Sequence, residues 1–386
     1  GLKMKLSNRC VMVSNKFEKK NFIYDRNGHI KYEINNEMFE LIKDIHDNKK
    51  DYKCAILDYD KDIIDELVLL EILTNNEEKY IFNIKQPSKL NSARIFLEIT
   101  DKCNLNCKHC YMDLQNQKQL TDDEVYMKTL KIIDILSDNN INEIMYTGGE
   151  IFTFKYAENI LEYSKKKGIK NIIFTNGLEF DIKCLKYIDQ VNVSLDGDEQ
   201  IHNYIRGNKK SFKKVMELLD ILKERNVWTN LQISLNDNNI DHLDFLPNLL
   251  LTHLNIRTVN LTSIINEGNA FKNKMSTSNN FDYKILKLLP DLYEKTKYHI
   301  QFRPSLISRY DFINNYINEL PIFPVWIDIV DGDYYLIKNS KYSDDVSKFN
   351  VKNIEKMCYN IQQKFIEMKL YKQDYINIEK EMESLK

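Results

Sequence analysis

Short apolar segments alternate with amphipathic segments between residues 92 and 262, and this alternation limits the fold more than any other feature of the sequence. Strands are predicted at Ile95–Thr100, Glu143–Tyr146, Asn171–Phe174, Val191–Leu195, Thr229–Leu235 and Thr258–Thr262. The helices predicted between them are Asp122–Leu136, Phe154–Lys166, Ile182–Ile188, Phe212–Glu224 and His242–Leu251. Repeated strand–helix units build a parallel sheet covered by helices. The sequence therefore predicts an α/β fold, a partial (β/α)6 TIM-type barrel, with functional residues in the loops that follow the strands.

Three cysteines follow the first predicted strand. Cys103, Cys107 and Cys110 have the spacing C-x3-C-x2-C, and the residues between them are mostly polar, as in an exposed loop. Iron–sulfur clusters usually take four cysteine ligands, so three would leave one iron without a protein ligand. A metal with a free coordination position can bind and polarise a small molecule. Two alternatives are a zinc site with His109 as the fourth ligand and three cysteines packed on one helix face.

The cysteine triplet with His109 resembles the motif of the radical S-adenosylmethionine (SAM) enzymes, and four later motifs resemble the same family. They are Thr147-Gly-Gly-Glu150, Thr175-Asn-Gly177, Val193-Ser-Leu-Asp-Gly197 with His202 and Arg206, and Glu267-Gly-Asn-Ala270. Each follows a predicted strand, and the third and fourth resemble the branch of the family that acts on peptides. The resemblance covers residues 93 to 270 or so.

This resemblance implies a cofactor and a set of ligands. It implies a [4Fe-4S] cluster on Cys103, Cys107 and Cys110, with SAM chelating the open iron and one electron cleaving it to methionine and a 5′-deoxyadenosyl radical. The residues that it implies to contact SAM are His109, Tyr111, Gly148, Gly149, Glu150, Asn176, Ser194, Asp196 and Arg206. From the residues alone, Asp196 and Arg206 could equally be a structural ion pair or surface charges.

Residues 1–90 have a different pattern, with three short strands at Cys10–Ser14, Asn21–Tyr24 and Ile30–Ile34 before helices at Glu37–Ile45 and Asp62–Leu73. This order predicts a small winged-helix α+β domain. The region has 16 Lys/Arg and 16 Asp/Glu, and its second helix is acidic. Phosphate contacts dominate DNA affinity, so we expect no nucleic-acid partner. The domain resembles the leader-peptide recognition domains of peptide-modifying enzymes, which add an extended leader to a sheet edge, here predicted at Ile30–Ile34.

The predicted domains are residues 1–90, a radical SAM barrel at 91–297 and an α+β extension at 298–386. Within the extension, a β-hairpin is predicted at Phe323–Ile337 with a turn at Asp331–Gly332. It resembles the cysteine-rich extension of related enzymes, which binds further clusters, but Val325 and Ile337 stand where cysteines are expected. We therefore expect a single cluster. Cys358 is a candidate hydrogen-atom donor, with buried packing as the alternative.

Composition sets the remaining expectations. A net charge of −2 gives no indication of a nucleic-acid or anionic-membrane partner. No apolar run reaches the ~18 residues that a membrane span requires. Seven cysteines, three of them clustered, are typical of a reducing cytoplasm. The predicted function is radical modification of a precursor peptide, by a reaction that the sequence leaves open, with a flavodoxin- or ferredoxin-type electron donor. The alternatives are a radical SAM enzyme for a small molecule and a zinc-containing winged-helix regulatory protein.

Overall fold

The computed structural model describes residues 3–15, 19–25, 30–47, 51–75, 94–112, 120–305, 324–329, 333–335, 343–345, 375–377 and 380. These residues belong to two compact units. The first contains the described residues up to 75 and those from 375 onwards, and the second contains those from 94 to 345.

The first unit consists of a small sheet and three helices. Its strands are β1 (Lys5–Leu6), β2 (Cys10–Asn15), β3 (Lys20–Asp25), β4 (Ile30–Ile34), β5 (Leu73–Thr74) and a strand far along the chain, β16 (Tyr375–Asn377). Its helices are α1 (Asn36–His46), α2 (Tyr52–Asp58) and α3 (Lys61–Leu69). Strands β2, β3 and β4 form an antiparallel meander, β16 pairs in parallel with β2, and β1 pairs with β5. Strands followed by helices are the winged-helix-like order that the sequence predicts.

Helix ends in this unit follow local signals that are only partly visible in the sequence. Helix α1 begins after Asn35, whose side chain accepts a hydrogen bond from the backbone N–H of Met38, as predicted for a cap. The helix predicted to run to residue 73 instead ends at Leu69. Glu71 has a left-handed φ of 56°, which turns the chain so that Leu73 enters β5. The apolar run in the sequence therefore gave no indication of where this helix ends.

The second unit is built on one large sheet. Its strands are β6 (Arg94–Glu98), β7 (Glu143–Thr147), β8 (Lys170–Thr175), β9 (Gln190–Ser194), β10 (Thr229–Leu235), β11 (Ile256–Ser263), β12 (Gln301–Ser305), β13 (Pro324–Asp328), β14 (Asp333–Tyr335) and β15 (Ser343–Asp345). Strands β6 to β12 lie side by side in chain order, and every neighbouring pair is parallel. All six predicted barrel strands are present, and β12 adds a seventh. The α/β partial barrel is confirmed.

Helices connect the strands. They are α4 (Asp122–Asp138), α5 (Ala157–Lys166), α6 (Glu199–Arg206), α7 (Ser211–Glu224), α8 (Leu246–Thr252), α9 (Gly268–Lys272) and α10 (Phe281–Lys295), with short 3-10 helices at Ile151–Thr153 and Ile182–Tyr187. Alternate strand residues such as Val191, Val193, Leu231 and Ile233 are fully buried, as are Leu219 and Leu222 of α7. The core therefore lies between the sheet and its helices. Among the described helices, none combines the length and apolarity needed to span a bilayer.

The predicted hairpin is present and has an additional partner. Strand β13 pairs antiparallel with β14, and it also pairs in parallel with β6, so the hairpin extends the barrel sheet. The turn at Asp331–Gly332, Ile337 and Cys358 lie outside the described residues, and the side chain of Val325 is not described either. Cys184 lies in a 3-10 helix and is buried, in accordance with a packing role.

Candidate active site

The cysteine loop leaves the carboxyl end of β6 and is held by two helices. The N–H of Lys108 donates to the carbonyl oxygen of Ile205 in α6 at 2.8 Å, and the N–H of Ala270 in α9 donates to the carbonyl oxygen of Cys110 at 3.0 Å. Asn269 Nδ2 also donates to the carbonyl oxygen of Cys107 at 3.2 Å. The part of the triplet from Cys107 to Cys110 is thus fixed by residues that follow other strands, as expected for a barrel site.

Two side chains direct N–H groups at the cysteine sulfurs. Asn176 Nδ2 lies 3.7 Å from Cys103 Sγ, and an Arg206 guanidinium nitrogen lies 3.7 Å from Cys107 Sγ. Burial raises the pKa of Cys107 to about 11, and the positive charge of Arg206 opposes this rise. Burial likewise raises the pKa of Cys103. Both thiols are therefore neutral at physiological pH unless a metal replaces the proton, and both have a donor positioned to stabilise a thiolate.

The donor set fits a cluster better than a single ion. Among the residues that the structure describes, no three His, Cys, Asp or Glu side chains converge closely enough to hold one metal ion. His109 Nε2 lies 3.0 Å from Asp196, whereas its Nδ1 is buried without a hydrogen-bond partner. Asn104 Nδ2 is buried without a hydrogen-bond partner, a donor within the loop itself. N–H donors beside two of the three cysteine sulfurs suit the ligation of an iron–sulfur cluster.

Asp196 is the centre of a buried polar network behind the loop. Its Oδ2 lies 2.7 Å from Arg206 Nε and 3.0 Å from His109 Nε2, and its Oδ1 accepts from the N–H of Ser234 at 3.0 Å. Burial acts to raise the pKa of Asp196, but Arg206 and His109 outweigh it and keep that pKa well below its usual range. Asp196 is thus an ionised carboxylate that forms a buried ion pair with Arg206 and positions it. The predicted SAM contacts of both residues stay predictions.

His202 fixes the turn that carries Asp196. Its Nδ1 accepts from the N–H of Asp196 at 3.1 Å, and its Nε2 lies 3.0 Å from Ser211 Oγ. Burial and the nearby Arg206 lower the pKa of His202 to about 3, so its ring is neutral and Nε2 is the donor. Sequence reasoning placed His202 in the motif without giving it a role. The sequence signal for such a role was the spacing of four residues between His202 and Arg206, which places both on one face of a helix.

Glu150 lies after β7 and has an unusual charge environment. It is buried, and its carboxylate accepts from Thr175 Oγ1 at 2.9 Å and from the N–H of Asn176 at 2.7 Å. Burial nevertheless raises the pKa of Glu150 to about 7. The carboxylate is therefore half-ionised near neutral pH, and a cationic ligand would complete its ionisation.

The two glycines before Glu150 have a packing role as well as the predicted ligand role. A Cβ on Gly148 would lie 2.4 Å from the carbonyl oxygen of Thr100, and one on Gly149 would lie 2.2 Å from that of Lys102. The N–H of Gly149 donates to Thr100 at 2.6 Å. Only glycine lets this turn approach the backbone that leads into the cysteine loop so closely.

Tyr111 and Ser194 complete the predicted set, and one neighbour was missed. The hydroxyl of Tyr111 donates to Glu98 Oε1 at 3.2 Å. Glu98 is buried at the carboxyl end of β6, two residues after Phe96, whose ring lies 5.9 Å from that of Phe174 across the sheet. Ser194 ends β9 and is half-buried. Glu98 had no sequence signal beyond being a carboxylate in an apolar strand.

Comparison with known families agrees with this site. Residues 97–246 match the model of the radical SAM superfamily. This part of the chain is a radical SAM domain. Members of that superfamily use a [4Fe-4S] cluster and SAM. The cofactor prediction is confirmed at this level.

Two curated relatives illustrate the range of proteins to which this chain is similar. The chain is 32% identical over 150 residues to the antilisterial bacteriocin subtilosin biosynthesis protein AlbA of Bacillus subtilis, a match covering 37% of this chain and 33% of AlbA. It is 28% identical over 224 residues to a GTP 3′,8-cyclase of Clostridium botulinum, covering 55% of this chain and 69% of the cyclase. The chain thus spans about a third of the length of AlbA.

A solved structure of another protein resembles the fold of this chain over most of the length of both. The crystal structure of Streptococcus suis SuiB bound to the precursor peptide SuiA superposes with a TM-score of 0.56 at 12% identity, covering 91% of this chain and 88% of SuiB. At this identity the similarity shows a shared fold. The GTP cyclase shows that small-molecule enzymes are also among the relatives.

Proposed function

We propose that this protein reductively cleaves SAM and uses the resulting radical to modify a residue of a ribosomally made precursor peptide. The observation that supports this proposal best is the cysteine loop, where Asn176 and Arg206 direct N–H groups at Cys103 Sγ and Cys107 Sγ. When bound, the cluster and SAM supply one electron and a 5′-deoxyadenosyl radical. We also propose a cytoplasmic location, because thiolate ligands must stay reduced.

The remaining site residues have roles that follow from their charges. Glu150, whose pKa is near 7, accepts from the SAM amino group and is ionised more fully by it. Arg206 keeps its charge because Asp196 is beside it, and a guanidinium fork has donors for both a sulfur and a carboxylate. Asp196, His109 and His202 position Arg206 and do not react.

The concave face of the sheet favours a peptide over a phosphorylated substrate. The register places Asn192 beside Asn230, and Gln232 beside Asn260, on the face opposite the buried apolar residues. On this face, β9 and β10 have amide and hydroxyl side chains, of which Asn192 and Asn230 are buried, and Gln232 is half-buried like Asn260 of β11. Such groups pair with the amides of a peptide chain, whereas phosphates need Lys, Arg or a metal.

The first unit supplies an edge for the leader. Among the described residues, β4 pairs with β3 alone, whereas β16 covers the far edge of the meander at β2. An extended peptide can therefore add to β4 through main-chain hydrogen bonds. Leu57 and Leu69 of the same unit are 83% and 82% exposed, so apolar leader side chains have surface to contact.

The test needs a candidate precursor peptide, taken from any short open reading frame that lies next to the gene. A fluorescent leader is bound to the full-length protein, and single N-methyl groups are placed along it in turn. Strand addition uses the N–H of every second residue, so affinity should fall at alternate positions and stay unchanged between them. Loss of affinity without this period of two, or none at any position, would remove the edge-docking role.

The alternative is a small-molecule substrate, which the GTP cyclase relative keeps open. The same protein is incubated with SAM, reductant and the peptide, and the peptide is examined by mass spectrometry. A mass change that depends on SAM supports peptide modification. SAM cleavage at full rate, with peptide bound but never changed, favours the small-molecule alternative.

A further inference from the structure

Two asparagine side chains lie in contact beside the first cysteine of the loop. Asn104 directly follows Cys103, and Asn176 comes from the turn after β8. Asn176 Nδ2 donates to Asn104 Oδ1 at 2.8 Å and lies 3.7 Å from Cys103 Sγ. The two amide hydrogens of Asn176 thus have two acceptors, one of which is a cysteine sulfur. Since Asn176 is buried, its amide depends on these partners within the protein.

A backbone group fixes the orientation of both amides. The N–H of Leu178 donates to Asn176 Oδ1 at 2.9 Å, and a backbone N–H can only be a donor, so the amide atom that faces it is oxygen. The nitrogen of Asn176 therefore faces Asn104, and the atom of Asn104 that accepts from it must be oxygen as well. The other end of the Asn104 amide, Nδ2, is consequently a hydrogen-bond donor.

This remaining donor is buried within the cysteine loop. Asn104 Nδ2 is shielded from solvent and has no hydrogen-bond partner among the described residues. Buried side-chain donors nearly always have an acceptor, and an exception needs an explanation. The residue next to Asn104 is the cluster ligand Cys103, and an iron–sulfur cluster supplies thiolate and sulfide sulfurs as acceptors. The unpaired donor therefore fits the cluster that this loop binds.

We infer that Asn104 and Asn176 are a pair of N–H donors to the cluster sulfurs on the Cys103 side, and that this pair raises the reduction potential of the cluster. The inference rests on the proposed function, because it concerns the cluster that supplies the electron for SAM cleavage. The reduced cluster has one more negative charge than the oxidised cluster, so N–H donors at its sulfurs stabilise the reduced state more. Loss of either donor should therefore make the cluster harder to reduce.

A redox titration of the reconstituted protein without SAM tests the pair. Asn104→Leu and Asn176→Leu are compared with wild type, since leucine has a similar size and donates no hydrogen bond. In each variant the ratio of reduced to oxidised cluster at the wild-type midpoint should fall about tenfold, which is a shift of about 59 mV for one electron. Asn106→Leu is the control and should match wild type, because Asn106 is an exposed asparagine of the same loop.

An unchanged midpoint potential in either Asn104→Leu or Asn176→Leu would overturn the inference. This outcome also separates the pair from the predicted SAM contact of Asn176, since a contact with SAM alone leaves the potential without SAM unchanged. Wild-type protein that forms no cluster on reconstitution would instead contradict the proposed function.

A spectroscopic measurement on wild type keeps the test independent of how much iron the variants hold. The protein is labelled with ¹⁵N in the side-chain amides of asparagine alone, and the reduced cluster is studied by electron spin echo spectroscopy. Magnetic coupling between the cluster and an amide ¹⁵N, retained in Asn106→Leu, supports the pair. A reduced wild-type cluster without any such coupling would overturn it.

Discussion

At the scale of single residues, the site depends on charges that are buried and paired. Asp196 is fully buried and contacts Arg206, His109 and the N–H of Ser234, so its charge holds other groups in place. Breaking a buried pair of this kind by removing one partner typically costs about 3–5 kcal/mol. The pair therefore gives Arg206 a fixed position beside Cys107.

Glu150 gives the site a pH dependence whose sign can be worked out. Its pKa in the folded protein is raised to about 7 by burial, above the ordinary carboxyl value of 4.5. The neutral form is thus favoured in the fold, and its stabilisation, complete below pH 4.5, is lost as the pH rises through 7. A SAM amino group needs the ionised form, so SAM binding should strengthen as the pH rises.

We predict that SAM affinity of the cluster-loaded protein rises roughly eightfold from pH 6.0 to 7.5, which follows from a carboxyl pKa near 7. Anaerobic equilibrium dialysis measures it. Glu150→Gln removes the titrating group, so its affinity should be lower at pH 7.5 and nearly independent of pH. An equally steep pH dependence in the glutamine variant would assign the titration to another group.

At the scale of elements, the turn after β7 and the cysteine loop form one assembly. We predict that Gly149→Ala displaces the loop, because the new Cβ would lie 2.2 Å from the carbonyl oxygen of Lys102. Reconstituted protein should then hold much less iron per chain than wild type. Gly168→Ala is the control, since its φ of 77° gives backbone strain while its Cβ meets nothing within 4 Å. Equal iron loading in both variants would contradict this role.

Sequence periodicity identified elements whose apolar pattern is regular and missed those set by tertiary context. The six barrel strands were predictable because alternate residues face the helices. Strand β12 contains Pro304, which lacks an N–H and is tolerated because β12 is an edge strand among the described ones. Strand β16 exists through its pairing with β2, more than 350 residues away in sequence. Helix α6 was not predicted, because its eight residues give little periodicity. Asp198 caps its beginning and Gly207 ends it in a left-handed conformation.

At the scale of the whole molecule, sequence could place the site residues in the correct loops but not pair them. His109 and Asp196 are 87 positions apart, and Arg206 and Cys107 are 99 apart, so only the fold brings them together. Glu98 was missed for the same reason, because its contact with Tyr111 depends on the path of the loop. The sequence motifs therefore indicate which chemical groups the site contains, and the sheet determines which of these groups are in contact.

The number of clusters is also a property of the whole molecule. Cys10 and Cys54 belong to the first unit, whereas Cys184 is buried in a 3-10 helix of the second unit. A further cubane needs about four cysteines. We predict about four irons per chain after full reconstitution, measured by iron and sulfide analysis. About eight irons, with about four kept after replacement of Cys103, Cys107 and Cys110, would show a second cluster in the C-terminal region.

The most direct measurement of the central claim is 5′-deoxyadenosine production. Anaerobically reconstituted protein is given dithionite and SAM, and the product is quantified by chromatography for wild type and for Cys107→Ala. Cys184→Ala, which changes a buried cysteine outside the loop, is the matched control. The account predicts 5′-deoxyadenosine from wild type and from Cys184→Ala, and none above background from Cys107→Ala. Equal production by Cys107→Ala and wild type would contradict it.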